Sequence, residues 1–256
     1  MRLDGHAAIV TGGGSGLGAA TGERLARAGC RVAVLDINQA AAEASADHIG
    51  GIGIACDVAD AASAEAAVAE AREAHGPARL LVNCAGVGTA GRIVGRDGPM
   101  KLAAFERVIR VNLLGSFNLL RLAAADMSAL DPLEDGERGV IVNTASIAAF
   151  DGQVGQAAYA ASKAGVVGLT LPAARELARV GVRVVAIAPG LFRTPMVEGL
   201  PQELQKSLGE GIPFPQRLGE PEEFAGAGRA HCDQHFHQWR DHSARWGAAD
   251  AAAIRT

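Results

Sequence analysis

Six short apolar runs rich in valine, isoleucine, leucine and alanine punctuate the chain, at residues 7–10, 31–36, 52–56, 79–86, 140–146 and 182–188. Each is short enough for a strand, and each is apolar along its whole length rather than alternately, as in a sheet covered on both faces. Between them lie segments with helical periodicity, running from Gly18 to about 28, then 38–49, 60–75, 102–130 and 157–179. Strands alternating with helices predict a parallel sheet with helices on both sides. Right-handed crossovers make it doubly wound. The expected fold is therefore a single α/β domain. Residues 87–100 read as a polar, glycine-rich loop, and 131–139 as a charged turn. Residues 191–220 carry four prolines and read as a lid.

Ligands of such sheets bind beyond the carboxyl ends of the strands. Gly12, Gly16, Gly18, Asp36, Asp57, Gly86, Ser146, Pro189 and Gly190 all fall there. The run TGGGSGLG at 11–18 follows the first strand and opens the first helix. Glycines let the backbone approach a pyrophosphate, and the helix N-terminus offers N–H groups and a positive dipole end. Asp36 ends the second strand, eighteen residues beyond Gly18. A carboxylate there suits ribose hydroxyls and repels a 2′-phosphate, so NAD is expected over NADP. The expected architecture is Rossmann-type.

Tyr159, the only tyrosine, and Lys163 are i and i+4 on one helix and share a face. A free tyrosine, with a pKa of about 10, is a poor base at neutral pH. A neighbouring ammonium favours the phenolate. Tyr159 is then expected to take a proton from an alcohol, with Ser146 orienting the substrate oxygen. Asn112 lies inside an apolar helical stretch, where its amide needs a use; holding a water that links Lys163 to solvent would supply one.

The formal charge of -4 and the lack of basic blocks argue against nucleic acid. No run of eighteen apolar residues and no leader pattern is present, so a soluble, cytoplasmic protein without a membrane partner is expected. Cys30, Cys56, Cys84 and Cys232 form no C-x-x-C pair and read as reduced thiols, and no metal is expected.

These motifs, with Asp57-Val58, Asn83-Cys-Ala-Gly86 and Pro189-Gly190, resemble the short-chain dehydrogenase/reductase family over about residues 5–225. The runs GVIVNTASIAAFDGQVGQAAYAASK, IAPGLFRTPM and PFPQRLGEP resemble a group within it that acts on 3-hydroxyacyl-CoA. The resemblance implies NAD-dependent oxidation of that thioester, with Asn112, Ser146, Tyr159 and Lys163 as the catalytic set. It implies cofactor contacts at Gly12, Ser15, Gly16, Leu17, Gly18, Asp36, Asp57, Val58, Cys84, Ala85, Gly86, Tyr159, Lys163, Pro189, Gly190, Phe192 and Thr194. Substrate contacts are implied at Ser146, Gln153 and Tyr159. A homotetramer built on helices 102–130 and 157–179 is implied as well. The competing readings are a 3-oxoacyl-carrier-protein reductase, a hydroxysteroid dehydrogenase and a non-enzymatic scaffold.

From Gly226 the composition changes. Residues 226–256 hold four of the seven histidines and both tryptophans, no valine or leucine, and one isoleucine. His231, Cys232, Asp233, His235, His237 and His242 match no zinc spacing. This is where the family places a seventh strand, which the chain is expected to lack. Residues 236–250 can be back-translated so that a one-base forward shift reads FINGEIIRLDGALRM, an Asn-Gly turn followed by a strand. The fixed codons of Trp239 and Trp246 fit that shift. The tail is therefore expected to arise from a frame change near 225–227, leaving a poorly folded product as one outcome. An uncovered sheet edge invites misassembly. The coding DNA should be compatible with the shifted reading, and a frame-restored chain should melt higher and sediment as a defined oligomer. Incompatible codons would end the idea of a frame change; identical melting and assembly would count against the loss of stability.

Overall fold

The computed structural model describes residues 1–88 and 90–233. Its main sheet has six parallel strands: β1 (Ala7–Thr11), β2 (Arg31–Asp36), β3 (Ile52–Ala55), β4 (Leu80–Asn83), β7 (Gly139–Thr144) and β8 (Val182–Ile187), in the order β3-β2-β1-β4-β7-β8. Between β4 and β7 lies a small antiparallel hairpin, β5 (Val94–Gly95) and β6 (Gly98–Pro99), inside the segment expected to be a plain loop. The chain builds outward from β1 to β3, then returns to lay β4 on the other side of β1. That reversal opens a crevice at the carboxyl ends of β1 and β4.

The all-apolar strands are explained by burial on both faces. Ile9, Leu35, Leu81, Ile141 and Val184 point into one core with α3 (Ala61–His75), α5 (Gly115–Ser128) and α6 (Ala157–Ala178). Val10, Val34, Val82, Val142 and Val185 point into the other, with α1 (Gly16–Ala26), α2 (Gln39–Ile49) and α9 (Pro221–Asp233). The two sets alternate along each strand, as the two-residue pleat requires. Buried charge interrupts the apolar pattern at the start of β7 and β8: Glu137 Oε1 lies 2.6 Å from Arg183 Nη2, and its Oε2 lies 3.2 Å from the Met1 ammonium.

The expected long helix over 102–130 is broken. α4 (Leu102–Ile109) passes into a π-helical turn at Arg110–Leu114 before α5 begins. Asn112 occupies the middle of that turn and is fully buried. A π turn carries one residue more than an α turn and is frequent at functional sites. Apolarity alone cannot reveal it, because the helical pattern continues on either side. The span Leu102–Ser128 is long and apolar enough, by length and composition, to cross a membrane. Its Leu119, Ala123 and Met127 instead pack in the core of the domain.

The expected lid contains two short helices, α7 (Pro195–Glu198) and α8 (Gln202–Glu210). Its ends meet through a bridge between Phe192 and Gly219. α9 runs without a break through residue 225 and packs on α1. Phe224 anchors it, fully buried and edge-on to Phe192 with ring centroids 6.2 Å apart. The tail beyond 233, including His235, His237 and His242, lies outside the described residues, and with it the place of the expected missing strand.

Candidate active site

The crevice at the switch point is closed by backbone. Gly12 has φ +62, and a Cβ there would sit 2.7 Å from Ala85 Cα. At Gly18 a Cβ would lie 2.1 Å from the Gly12 carbonyl oxygen. Both positions therefore exclude every side chain, because the loop folds onto the first turn of α1 and onto the end of β4. Thr11 Oγ1 locks the seam, accepting from Cys84 N at 3.2 Å and Ala85 N at 3.1 Å. Ser15 stands at the N-cap of α1 in extended conformation, and its side chain makes no capping bond. The first-turn N–H groups are left to an anion. Leu17 is half-buried against the core below.

Asp36 folds over this loop. Its Oδ2 accepts from Gly14 N and its Oδ1 from Asn38 N, both at 3.0 Å. Asn38, not Asp36, caps α2, by accepting from Ala41 N at 3.2 Å. The carboxylate is thus oriented by backbone beside the cradle, and each oxygen retains a lone pair for a hydroxyl donor. A glycine-lined cradle, an open helix N-terminus and an acid at the second strand form a donor set that fits a dinucleotide. Gly12, Ser15, Gly16, Leu17, Gly18 and Asp36 would hold its phosphates and adenosine ribose.

The remaining expected contacts divide. Asp57 Oδ1 accepts from Ala59 N at 2.9 Å, turning the chain so that Val58 is buried against Gly115. Pro189 O accepts from Ile147 N at 3.1 Å, which sets Pro189 and Gly190 beside Ser146. Thr194 and Pro195 lie against Gly16, at 3.4 and 3.3 Å from where its Cβ would be. The start of the lid therefore lies over the cradle. The ring of Phe192 is buried in the core against Phe224 and Gly219. Only its backbone is left for a cofactor. Gln153 is exposed on the loop before α6, where its N–H donates to Gln156 Oε1 at 3.0 Å.

Ser146, Tyr159 and Lys163 come together past the end of β7. Ser146 Oγ accepts from Ala148 N at 3.1 Å, capping a 3₁₀ turn at Ile147–Ala149. That bond uses a lone pair and leaves the hydroxyl proton to donate outward. Lys163 is buried, with Nζ 2.6 Å from Thr144 O and 5.8 Å from the centre of the Tyr159 ring. Burial pulls its pKa down to about 8, opposed by the neighbouring Cys84. Burial of Cys84 in turn pushes that thiol up to about 11.

One expectation needs correction. Tyr159 is not lowered by its surroundings: burial raises its pKa, and the hydrogen bond with Ser146 works in the opposite direction. The resting phenol is therefore a neutral proton donor. Asn112 spends its amide on protein groups. Its Oδ1 accepts from Val87 N at 2.8 Å, and its Nδ2 donates to Val87 O and to Ser162 Oγ, each at 3.0 Å. It joins the end of β4 to α6, close to the lysine: a Cβ built on Gly86 would lie 3.3 Å from Asn112 Oδ1 and 3.7 Å from Lys163 Nζ. Thr11, Thr144 and Ser162, which hold the cradle seam, the lysine and the asparagine, carry no motif of their own. Only their places inside TGGGSGLG, NTAS and YAASK could have pointed to them.

Residues 6–205 match the family model described as short chain dehydrogenase. The chain is 49% identical over 221 residues to 3-hydroxyacyl-CoA dehydrogenase type-2 of Drosophila melanogaster, covering 85% of this chain and 87% of that one. A crystal structure of 3-hydroxyacyl-CoA dehydrogenase type-2 from Mycobacterium avium superposes with a TM-score of 0.85 at 42% identity, over 91% of this chain and 92% of that one. A 3-ketoacyl-(acyl-carrier-protein) reductase from Brucella melitensis complexed with NADH superposes with a TM-score of 0.79 at 32% identity, over 90% of this chain and 91% of that one.

Lys163 gives a pH-dependent signature. Below pH 8 its ammonium is charged in both folded and unfolded chains, and the burial cost is fully present. Between about 8 and 10.5 the folded chain has released a proton that the unfolded chain keeps, so stability rises with pH. Urea unfolding of wild type and Lys163→Met should show the difference moving in favour of wild type by about 2–3 kcal/mol across that window. A difference that stays flat would contradict the buried ammonium.

Proposed function

The chain belongs to the short-chain dehydrogenase family, and on that premise we propose that it is an NAD-dependent dehydrogenase that oxidises the 3-hydroxyl of 3-hydroxyacyl-CoA, reversibly. The observation that carries the chemistry is the convergence of Ser146, Tyr159 and the buried Lys163 beside a dinucleotide cradle. The identity to relatives named for that substrate supports the substrate class. So do the exposed apolar side chains of Phe150, Val154, Met196 and Phe214, on the segments expected to surround the substrate. Asp36 supports NAD, since a 2′-phosphate would meet its carboxylate.

A bound nicotinamide supplies the hydride acceptor. The chain's own residues manage the proton and the geometry. Ser146 donates its hydroxyl proton to the substrate oxygen and fixes it near Tyr159. Tyr159, as phenolate, takes the hydroxyl proton while the carbon loses hydride, leaving a ketone. Burial opposes that phenolate; the Lys163 ammonium, 5.8 Å from the ring centre, and the positive charge a bound oxidised nicotinamide would supply together favour it. In reduction the neutral phenol gives the proton back. Thr144 O holds Lys163 in place, and the bonds from Asn112 fix the adjoining backbone.

A homotetramer assembled through α4, α5 and α6, and a cytoplasmic location, belong to the same proposal. The exposed Leu102, Leu114 and Phe117 support the interface.

NADH formation from 3-hydroxybutyryl-CoA and NAD should be readily measured in wild type. In Tyr159→Phe it should fall by about 10³-fold or more, with NADH binding retained. Unchanged turnover in the variant would sink the mechanism, and no turnover in wild type would sink the substrate assignment.

A further inference from the structure

We propose that Ser162 is a positioning residue for Tyr159, joining the π turn at Asn112 to the catalytic face of α6. The inference rests on the dehydrogenase reading, because it concerns the same tyrosine. Ser162 is fully buried, three residues after Tyr159 and one before Lys163. Its hydroxyl has a donor and an acceptor role, and both are filled. Oγ donates to the Tyr159 carbonyl at 2.7 Å and accepts from Asn112 Nδ2 at 3.0 Å.

Those two bonds reach opposite sides of the site. Through Asn112, Ser162 is tied to Val87 at the end of β4, where the amide both donates and accepts. Through the Tyr159 carbonyl, it is tied to the first turn of α6. That turn has a weak start: the N-cap residue, Gln156, makes no side-chain capping bond. A helix end without a cap frays more readily. The Ser162 bond to Tyr159 O and the link to Asn112 oppose fraying at the residue whose side chain must reach Ser146. The π turn matters here because it carries Asn112, which is fully buried and bonded across to α6.

Ser162 touches neither the reacting carbon nor the proton in flight, so its effect should pass through the geometry of Tyr159. Misplacing a reacting group by a fraction of an ångström lowers rate without lowering affinity. It should also disturb the titration of the phenol, because the lowering influence of the Ser146 hydrogen bond depends on that geometry.

The chain's single tyrosine makes the test direct, since tyrosinate absorbance at alkaline pH reports Tyr159 alone. The full-length chain and its Ser162→Ala and Ser162→Thr variants should be titrated by ultraviolet absorbance. They should also be assayed for kcat and KM with 3-hydroxybutyryl-CoA and NAD, with thermal melting recorded in parallel. For Ser162→Ala the expected results are a tyrosinate midpoint about half a pH unit higher and a kcat lowered about tenfold, with KM and NADH binding within twofold. Ser162→Thr, which keeps the hydroxyl, should recover most of both. An unchanged midpoint in Ser162→Ala overturns the proposal, whatever happens to the rate. So does a parallel loss of kcat, NADH binding and melting temperature that threonine does not rescue. If wild type fails to turn over the thioester, the substrate assignment fails, and the titration still decides the role of Ser162.

Discussion

The approach of Gly12 to Ala85 is the constraint on which the rest of the molecule depends. With β1 and β4 side by side at the reversal of strand order, their carboxyl ends must separate to form a crevice. Here the separation is kept small by Thr11, which holds two consecutive N–H groups of the opposite strand. A loop with no side chain at Gly12 or Gly18 fits that seam, and any Cβ at either would collide with backbone. The tightness places helix α1 end-on to the crevice. It also brings Asp36 within hydrogen-bonding distance of the loop.

The chemistry is built on the other side of the same seam. β4 and β7 run in register, and Asn83 Nδ2 donates to Asn143 Oδ1 between them at 2.9 Å. Past that pair the chain presents Thr144, whose carbonyl fixes Lys163, and then Ser146. α6 returns Tyr159 and Lys163 to this strand end, and Asn112 ties α6 to β4. The site is thus a set of polar bonds between strand ends, closed over by the lid at Gly16. Desolvation is the common influence: it raises Tyr159 and Cys84 and lowers Lys163, favouring the neutral form of each.

Much of this is legible in the residues themselves, for physical reasons that differ from place to place. Strands buried on both faces write their identity as continuous apolar runs, and only β3, half-buried at the sheet edge, is read from its apolar residues without that reason. The glycine loop and Asp36 are readable because only those residue types satisfy the backbone and the charge. The π turn is not, since Arg110–Leu114 differs from an α-helix by one residue of winding, which leaves no mark on periodicity. The use of the Asn112 amide is likewise hidden: its partners Val87 and Ser162 are 25 and 50 residues away, and two of its three bonds are to backbone. Which part of Phe192 is available is hidden too, because an aromatic ring looks the same in sequence whether it faces ligand or core. The direction of the Tyr159 shift depends on burial, which spacing on a helix does not report.

The central claim is that the crevice at the β1–β4 seam holds a nicotinamide dinucleotide whose adenosine ribose faces Asp36. Fluorescence titration of wild type and Asp36→Ala with NADH and with NADPH tests it most directly. Wild type should bind NADH at least about tenfold more tightly than NADPH, because a 2′-phosphate would meet the carboxylate. Asp36→Ala should lose most of that preference, chiefly by weakening NADH and relieving the repulsion of NADPH. Equal affinity for the two in wild type, or an unaltered preference in the variant, would contradict the account.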